Sequence, residues 1–578
     1  MNNLDLRIAP YLSYAEVFKT SATTRDVVST VRSVPRRELL RAICVMSRYL
    51  YSPAASDADQ QIGWARQLLP PDWANQIIKL RESGARSNAI IFHRRALWLV
   101  LQLSVLCGDD GADFPNKADA ERQVAKAMFM ASDLLNELNA SFQRSLIDVP
   151  PLEWMIAVVV PLLDFSSTRI NVEVVGRACL LWDEVLNDTA FMRRAKRLGV
   201  PSAHDVFQKE FSFSLAALLR SLVAVFTKFA GHHATKVASP ILFEFKYESD
   251  AGISEDEWIK SLGMLSQTPD DLALQLLRSR QSWSYDVTPL SERPLIEVEA
   301  GKYCCPDLNL LAHACIDRVY YLLQRAYGKQ FGAFIGVIFE SYVERVLAEF
   351  LPCDGPLRTF LRRPRFQGSK DEAADGMLLW HHSVAVMEYK ASLLTTRQRM
   401  ANSTAEVLQG IGSIGAGTSS SDKKGVVQIA ANIRRLLDGE HFIQVQNDGY
   451  DLTAVQRIFP VLVCLEERLS PNAVRRWLQS KFSEAMGEYA SDHRIQQLIV
   501  LTIGDLELLT MISHARPIES LLWDYSLHLV AEADNFTGTF YQYVLRNLKN
   551  ELDLDKLLTK KYFRKFGISP LPIDAEDA

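Results

Sequence analysis

The chain has 578 residues, of which 48% are hydrophobic and 23% charged, with a formal net charge of −5. That length exceeds one ordinary core, so two to four domains are expected, and the composition excludes disordered, collagen-like and disulfide-scaffold classes. The small acidic excess leaves no global field to draw in nucleic acid, so any such affinity must come from local charge.

In chain order, Met1-Asn2-Asn3-Leu4-Asp5-Leu6-Arg7 lacks the shape of a signal peptide. Apolar residues at helical spacing recur from Arg37 to Leu50, Ala89 to Cys107, Ala118 to Leu138 and Val174 to Leu186. The longest apolar run, Trp154 to Leu163, is far too short for a membrane span. Glu210 to Lys228 is a further apolar stretch, interrupted by Arg220. His232-His233 has no nearby acid or Cys and reads as a loop rather than a metal site. Ile241 to Glu248 alternates like a surface strand, and Gln281 to Tyr303 is strand-like. The eight cysteines are scattered without C-x-x-C, and no His spacing completes a zinc site. The vicinal Cys304-Cys305 fits a buried strand. Reduced thiols and the absent leader predict a cytoplasmic protein with no membrane partner.

From Ala312 to Phe350 the pattern is helical. Arg363 to Gln367 begins a strand, Gly376 to Trp380 and Val384 to Tyr389 form two more, and a polar insertion follows. Its tip, Gly410 to Lys424, is rich in Gly and Ser and reads as a mobile loop over the site. It has no G-x-x-x-x-G-K-[ST] to cradle phosphates. Phe459 to Leu465 and Gln497 to Ile503 are continuous apolar runs, as in buried strands. A helix starts at Gly504-Asp505, and the remainder to Phe566 is helical, with a basic end at Lys556, Lys560, Lys561, Arg564 and Lys565.

The chemistry concentrates in the second of these strands. Side chains two apart in a strand share a face, so Glu388 and Lys390 converge with Asp375 at one strand end. Two carboxylates beside an ammonium group can hold Mg²⁺ or Mn²⁺ and position an attacking water. Glu244-Phe245-Lys246 repeats the triplet but has no upstream Asp-Gly at hairpin distance. From Arg358 to Met400, eight Lys and Arg face four acids. Arg358, Arg362, Arg363, Arg365, Lys370 and Arg397 are the candidate phosphate contacts in that stretch.

Asp375 to Lys390 resembles the PD-(D/E)xK superfamily, the restriction-endonuclease-like nucleases. The likeness runs from about Phe331 to Leu508. It takes in Glu340 in Gly336-Val337-Ile338-Phe339-Glu340 on the preceding helix and Gln428 on a following one. Ala374 stands where the family name has Pro. The resemblance implies an α/β nuclease core, a mixed central sheet flanked by helices, embedded in a mainly α-helical multidomain protein. It implies a metal-dependent nuclease acting on DNA rather than RNA. Asp375, Glu388 and the Tyr389 carbonyl would hold the cation, with Glu340 bound directly or through water. Lys390 would contact the scissile phosphate and activate the water, and Gln428 would orient that water or bind phosphate. The expected domains are 1–300, a helical sensor or partner-binding region; 301–508, the nuclease domain; and 509–578, a C-terminal helical region. The helical parts would hold a protein partner or set a homo-oligomer. This architecture resembles stand-alone effectors of bacterial antiviral defence. The alternatives are a non-catalytic nucleic-acid- or protein-binding scaffold and a DNA repair or recombination nuclease.

Overall fold

In the computed structural model, the residues described are 11–51, 55, 57–84, 89–111, 114, 116–145, 149–162, 172–234, 242–245, 252–278, 286–351, 359–366, 369, 371–399, 404–417, 424–440, 455–513, 516–532 and 538–548. The chain is mainly helical and carries two small mixed sheets. The first sheet comprises β1 (Phe243–Glu244), β2 (Ser266–Gln267), β3 (Leu295–Glu299) and β4 (Lys302–Cys304), in the order β1-β4-β3-β2. The second comprises β5 (Thr359–Arg362), β6 (Gly376–Leu379), β7 (Ser383–Lys390), β8 (Arg457–Cys464) and β9 (Ile499–Thr502), in chain order across the sheet. Strands β5, β6 and β7 form an antiparallel meander, whereas β8 and β9 add in parallel.

The alternation along β7 sorts its residues between two cores. Ala385, Met387 and Tyr389 face one apolar cluster, together with Phe459, Val461, Val463, Ile499 and Leu501 of β8 and β9. Val384 and Val386 face a second, with Ile458, Leu462, Cys464 and Val500. The first face is covered by helices Phe331–Phe350 and Ile503–Ile512, the second by helices Val426–Leu437 and Asn472–Met486. Both faces are dry, which is why β7 and β8 read as continuous apolar runs. The N-terminal helices pack in a third cluster, which also takes in Leu272, Ile296 and Cys304.

The cores do not follow the chain segments. Helix Pro151–Leu162 sends Met155, Ile156, Val159 and Val160 into the cluster beneath the second sheet. Helices Val172–Cys179 and Leu215–Ala234 share the opposite cluster with residues 308–351 and 499–548. Among the described residues no single helix is long and apolar enough to cross a membrane. The bent pair Ala203–Phe211 and Leu215–Gly231, meeting at 82°, meets that test by length and composition. Its Phe207, Leu218, Leu222, Val225 and Phe226 are buried inside the protein, which accounts for their apolarity.

Several local expectations are corrected. The first helix after Ala89 begins only at Arg94, because Ile90 bridges Tyr11, Ile91 bends the chain, and His93 caps the helix. Ala312 to Phe350 is helical, as expected, in two helices: Leu308–Tyr327 ends at Gly328, whose φ of 55° suits glycine, and Phe331–Phe350 follows a short 3-10 turn. Residues 231–234, expected as a loop, form the last turn of helix Leu215–Ala234. The strand expected over Arg363 to Gln367 lies instead at Thr359–Arg362. Arg363 adopts φ 46°, and Pro364 cannot donate to a ladder.

The Gly-rich gate is also corrected. Thr404–Ile411 is a helix that runs into a wider turn at Gly412–Ala416, with Gly410, Gly412, Ile414 and Gly415 buried. A Cβ at Gly410 would lie 2.9 Å from Gln398 and Leu394, and one at Gly415 2.9 Å from Leu478. These glycines permit close packing rather than mobility. Residues 418–423 lie outside the described residues, as do Cys353 and the basic end at Lys556 to Lys565.

Candidate active site

The site is built around the junction of β6 and β7. Asp375 precedes β6, and its main-chain N–H donates to the Met387 carbonyl at 3.1 Å. Its carboxylate accepts the Tyr389 N–H at 2.7 Å, which pins it against the end of β7. Gly376 is required at this corner, because a Cβ there would lie 2.1 Å from the Tyr389 hydroxyl. Glu388 is 2% exposed and lies on the face of β7 opposite Tyr389. Lys390 Nζ donates to its Oε1 at 2.5 Å, while Oε2 is buried without a hydrogen-bond partner among the described residues.

Burial pushes the Asp375 carboxyl well above the usual range, and Glu388 and then Glu340 add to the rise. The Tyr389 N–H and Lys390 pull it down. Burial likewise raises Glu388, with Lys390 opposing and Glu340 and Glu372 contributing to the rise. Asp375, Glu388 and Glu340 therefore feel one another's charge across a poorly solvated corner.

Glu340 sits on helix Phe331–Phe350, which packs against β7. It forms an ion pair with Arg194 of helix Thr189–Arg197, so its carboxylate is already neutralised. Four residues on, Glu344 is approached by Arg194, Arg362 and Arg363, each at 3.9 Å. Burial raises its carboxyl, and these arginines offset part of the rise. Gln428 lies in the first turn of helix Val426–Leu437, which covers the β7 face that carries Glu388 and Lys390. No hydrogen bond among the described residues joins its side chain to the acids. Arg365 is exposed on an isolated bridge to Glu372. Arg397 lies on the short helix Thr396–Arg399, and Arg358 and Lys370 lie outside the described residues. Of the competing triplet, Glu244 is exposed on β1, paired with Lys302, and Lys246 lies outside the described residues.

The structure thus brings together Asp375, Glu388, Tyr389 and Lys390, with Glu340 beside them. Among the described residues no three His, Cys, Asp or Glu side chains converge into a ready-made cation site. The donors at hand are two carboxylates and main-chain carbonyls, an oxygen set suited to a hard cation completed by water. The orphaned Oε2 of Glu388 fits such a ligand, since a buried acceptor without a donor is costly.

Sequence reasoning missed Arg194, Glu344 and Glu372. The signal for Glu344 was its spacing of four from Glu340, which puts both on one helix face. Arg194 was signalled only by its basic run. Comparisons with protein-family models, with curated proteins and with solved structures return no match.

Proposed function

We propose that the chain is a divalent-cation-dependent nuclease, acting on nucleic acid, with its site at the β6–β7 corner. The observation that carries this reading is the buried Glu388 carboxylate, with one oxygen lacking a hydrogen-bond partner among the described residues, beside the part-buried Asp375 carboxylate and Lys390 at one strand end. Retaining two such groups destabilises an apolar corner unless something uses their charge. The order of elements supports it too: a helix bearing Glu340, an antiparallel meander, a covering helix bearing Gln428, then a parallel strand. The sequence resemblance implies the same order for a restriction-endonuclease-like core.

A Mg²⁺ or Mn²⁺ ion held by Asp375 and Glu388 would polarise a phosphodiester and lower the pKa of bound water. The chain's own residues do the rest. Tyr389 N–H fixes the orientation of Asp375. Lys390 holds a proton and a positive charge at the edge where a phosphate would sit. The apolar packing of Met387 and Val386 excludes bulk water behind the acids.

Purified full-length protein incubated with supercoiled, linear and single-stranded DNA and with RNA, in Mg²⁺, Mn²⁺ or EDTA, tests the proposal. Cleavage should require the cation and vanish in Glu388→Gln. Lys390→Met should lower it by roughly 10²–10³-fold, the scale of a lost electrostatic stabiliser. Cleavage that persists in EDTA, or in Glu388→Gln, sinks the reading.

A second reading is favoured by the Lys390–Glu388 and Arg194–Glu340 pairs, which neutralise two of the acids without a cation. On that reading the corner is a structural charge cluster in a binding scaffold. Titration calorimetry separates the two, since only the first expects Mg²⁺ or Mn²⁺ binding that Asp375→Asn removes.

A further inference from the structure

Helix Thr189–Arg197 belongs to the half of the chain in which the sequence showed no chemistry. Asp188 caps its start, accepting the N–H groups of Ala190 at 2.7 Å and Phe191 at 3.1 Å. Phe191 and Ala195, four apart, are buried in the cluster shared with the second sheet. That anchoring turns the remaining positions outward. Arg193, Lys196 and Arg197 are exposed, and among the described residues no acid pairs with any of them. Arg193 is tied back only to its own helix, at the Thr189 carbonyl, 3.1 Å away.

Arg194 turns inward from the same helix and touches the candidate site. It pairs with Glu340, lies 3.9 Å from Glu344, and leaves its buried Nε without a hydrogen-bond partner. Arg362 and Arg363, from the end of β5, reach the same Glu344. Two segments distant in sequence therefore bring three cations (Arg194, Arg362 and Arg363) to two acids (Glu340 and Glu344), and the helix adds three exposed ones (Arg193, Lys196 and Arg197). With the N-cap Asp188 counted beside Glu340 and Glu344, the local formal excess is +6 − 3 = +3, in a chain whose net charge is −5. Cations in a last helical turn also complement the helix dipole, which accounts for Lys196 and Arg197 singly. It does not account for Arg362 and Arg363, which reach the same Glu344 as Arg194 from a separate element.

We infer that helix Thr189–Arg197, with Arg362 and Arg363, forms a phosphate-gripping surface that seats a nucleic-acid backbone against the β6–β7 corner. The inference rests on the nuclease reading for what happens at that corner, but the binding surface stands on its own charges. Contacts of this kind read no base edges, so they fix register and give no sequence preference. They leave a signature in salt, because each neutralised phosphate releases counterions.

The test measures binding of a fluorescent DNA duplex and of a single strand by anisotropy in EDTA, from 50 to 300 mM salt. The full-length protein is compared with the triple variant Arg193→Gln, Lys196→Gln, Arg197→Gln. A charge-matched control carries Arg25→Gln, Arg66→Gln and Lys79→Gln, all exposed and remote in the N-terminal helices. The site variant should bind at least roughly tenfold more weakly, and its salt slope should shrink by about 2–3. The control should bind as wild type does. Thermal melting, with the three single variants as a fallback, checks that the fold is intact.

Unchanged binding and slope in the site variant overturn the inference, as does an equal loss in the control. So does wild-type protein that binds neither nucleic acid. Cleavage is scored separately in Mg²⁺. Wild-type cleavage with an unaffected site variant removes this surface but keeps the nuclease. Binding lost in the site variant, with no wild-type cleavage under any condition, keeps the surface and removes the nuclease.

Discussion

Asp375 carries a raised pKa because burial and two neighbouring acids penalise its charge. A carboxyl whose folded pKa lies above its unfolded value keeps a proton that the unfolded chain has already lost. Its contribution to stability is therefore greatest in acid and falls as pH rises through the folded value. Asp375→Asn removes that penalty while keeping an oxygen to accept the Tyr389 N–H. The variant is expected to melt higher than wild type at pH 8, and by a smaller margin at pH 5, both in EDTA. Scanning calorimetry at the two pH values checks it, and an equal or reversed difference would show that Asp375 is not charged against its surroundings. His93 behaves in the opposite sense. It is buried, stacks on Tyr11 at 3.8 Å, and accepts the Ala96 N–H on Nδ1 at 3.3 Å. Burial, helped by Arg95, lowers its pKa to about 3. For a depressed histidine, stability is full above the unfolded value near 6.5 and is lost as pH falls below it. His93→Asn keeps an N-cap acceptor without the titration. Its urea midpoint should vary less between pH 7 and pH 5 than that of wild type.

At the scale of elements, glycines do the work that side chains cannot. Gly376 pairs with Met387 across β6 and β7, and its missing Cβ is the space filled by the Tyr389 ring and hydroxyl. That hydroxyl is buried without a hydrogen-bond partner among the described residues. Gly376→Ala should cost about 1–3 kcal/mol, the scale of overpacking in a tight core. Tyr389→Phe removes the atom that the new methyl would strike. The double variant should recover part of the loss, as read from urea denaturation, and strict additivity would show that the clash lies elsewhere. Gly425, at φ 58°, brings its Cα so close that a Cβ would lie 1.9 Å from the Gly415 carbonyl. The same residues that suggested a loose gate in the sequence thus clamp two turns together beneath helix Val426–Leu437.

At the scale of the molecule, a buried ion pair ties the N-terminal half to helix Ile503–Ile512, which covers one face of the sheet. Arg177 donates from Nε to Oε1 and from Nη2 to Oε2 of Glu507, each at 3.0 Å, and Tyr342 donates to the same carboxylate at 2.5 Å. Removing one partner strands the other, so Arg177→Met should destabilise by about 3–5 kcal/mol. The apolar cluster crosses the same junction. A fragment limited to residues 312–509 would expose the apolar surface, helix Leu308–Tyr327 above all, that helices Val172–Cys179 and Leu215–Ala234 bury. Such a fragment is expected to aggregate or to bind a dye for exposed apolar surface, and a monomeric fragment with a cooperative melt would contradict the shared core.

The sequence by itself sorted the faces of the β7 end, because strand alternation leaves Glu388 and Lys390 one face and Tyr389 the other. It determined the strand character of β8 and β9 through their unbroken apolar runs, and the helices at Arg36–Leu50, Arg94–Cys107, Lys117–Ser145 and Val172–Cys179 through apolar periodicity. It named Asp375, Glu388, Tyr389 and Lys390 as neighbours, since fourteen or so residues of hairpin leave them little other choice. Only the tertiary structure decided that Glu340 is held by Arg194, because an ion pair 146 positions apart leaves no local pattern. It also decided that Gly410 and Gly415 are packed, since a glycine's use depends on what approaches its bare Cα. And it alone placed a basic helix from the first third of the chain beside the β6–β7 corner, where charges brought together by packing act over distances that sequence spacing does not encode.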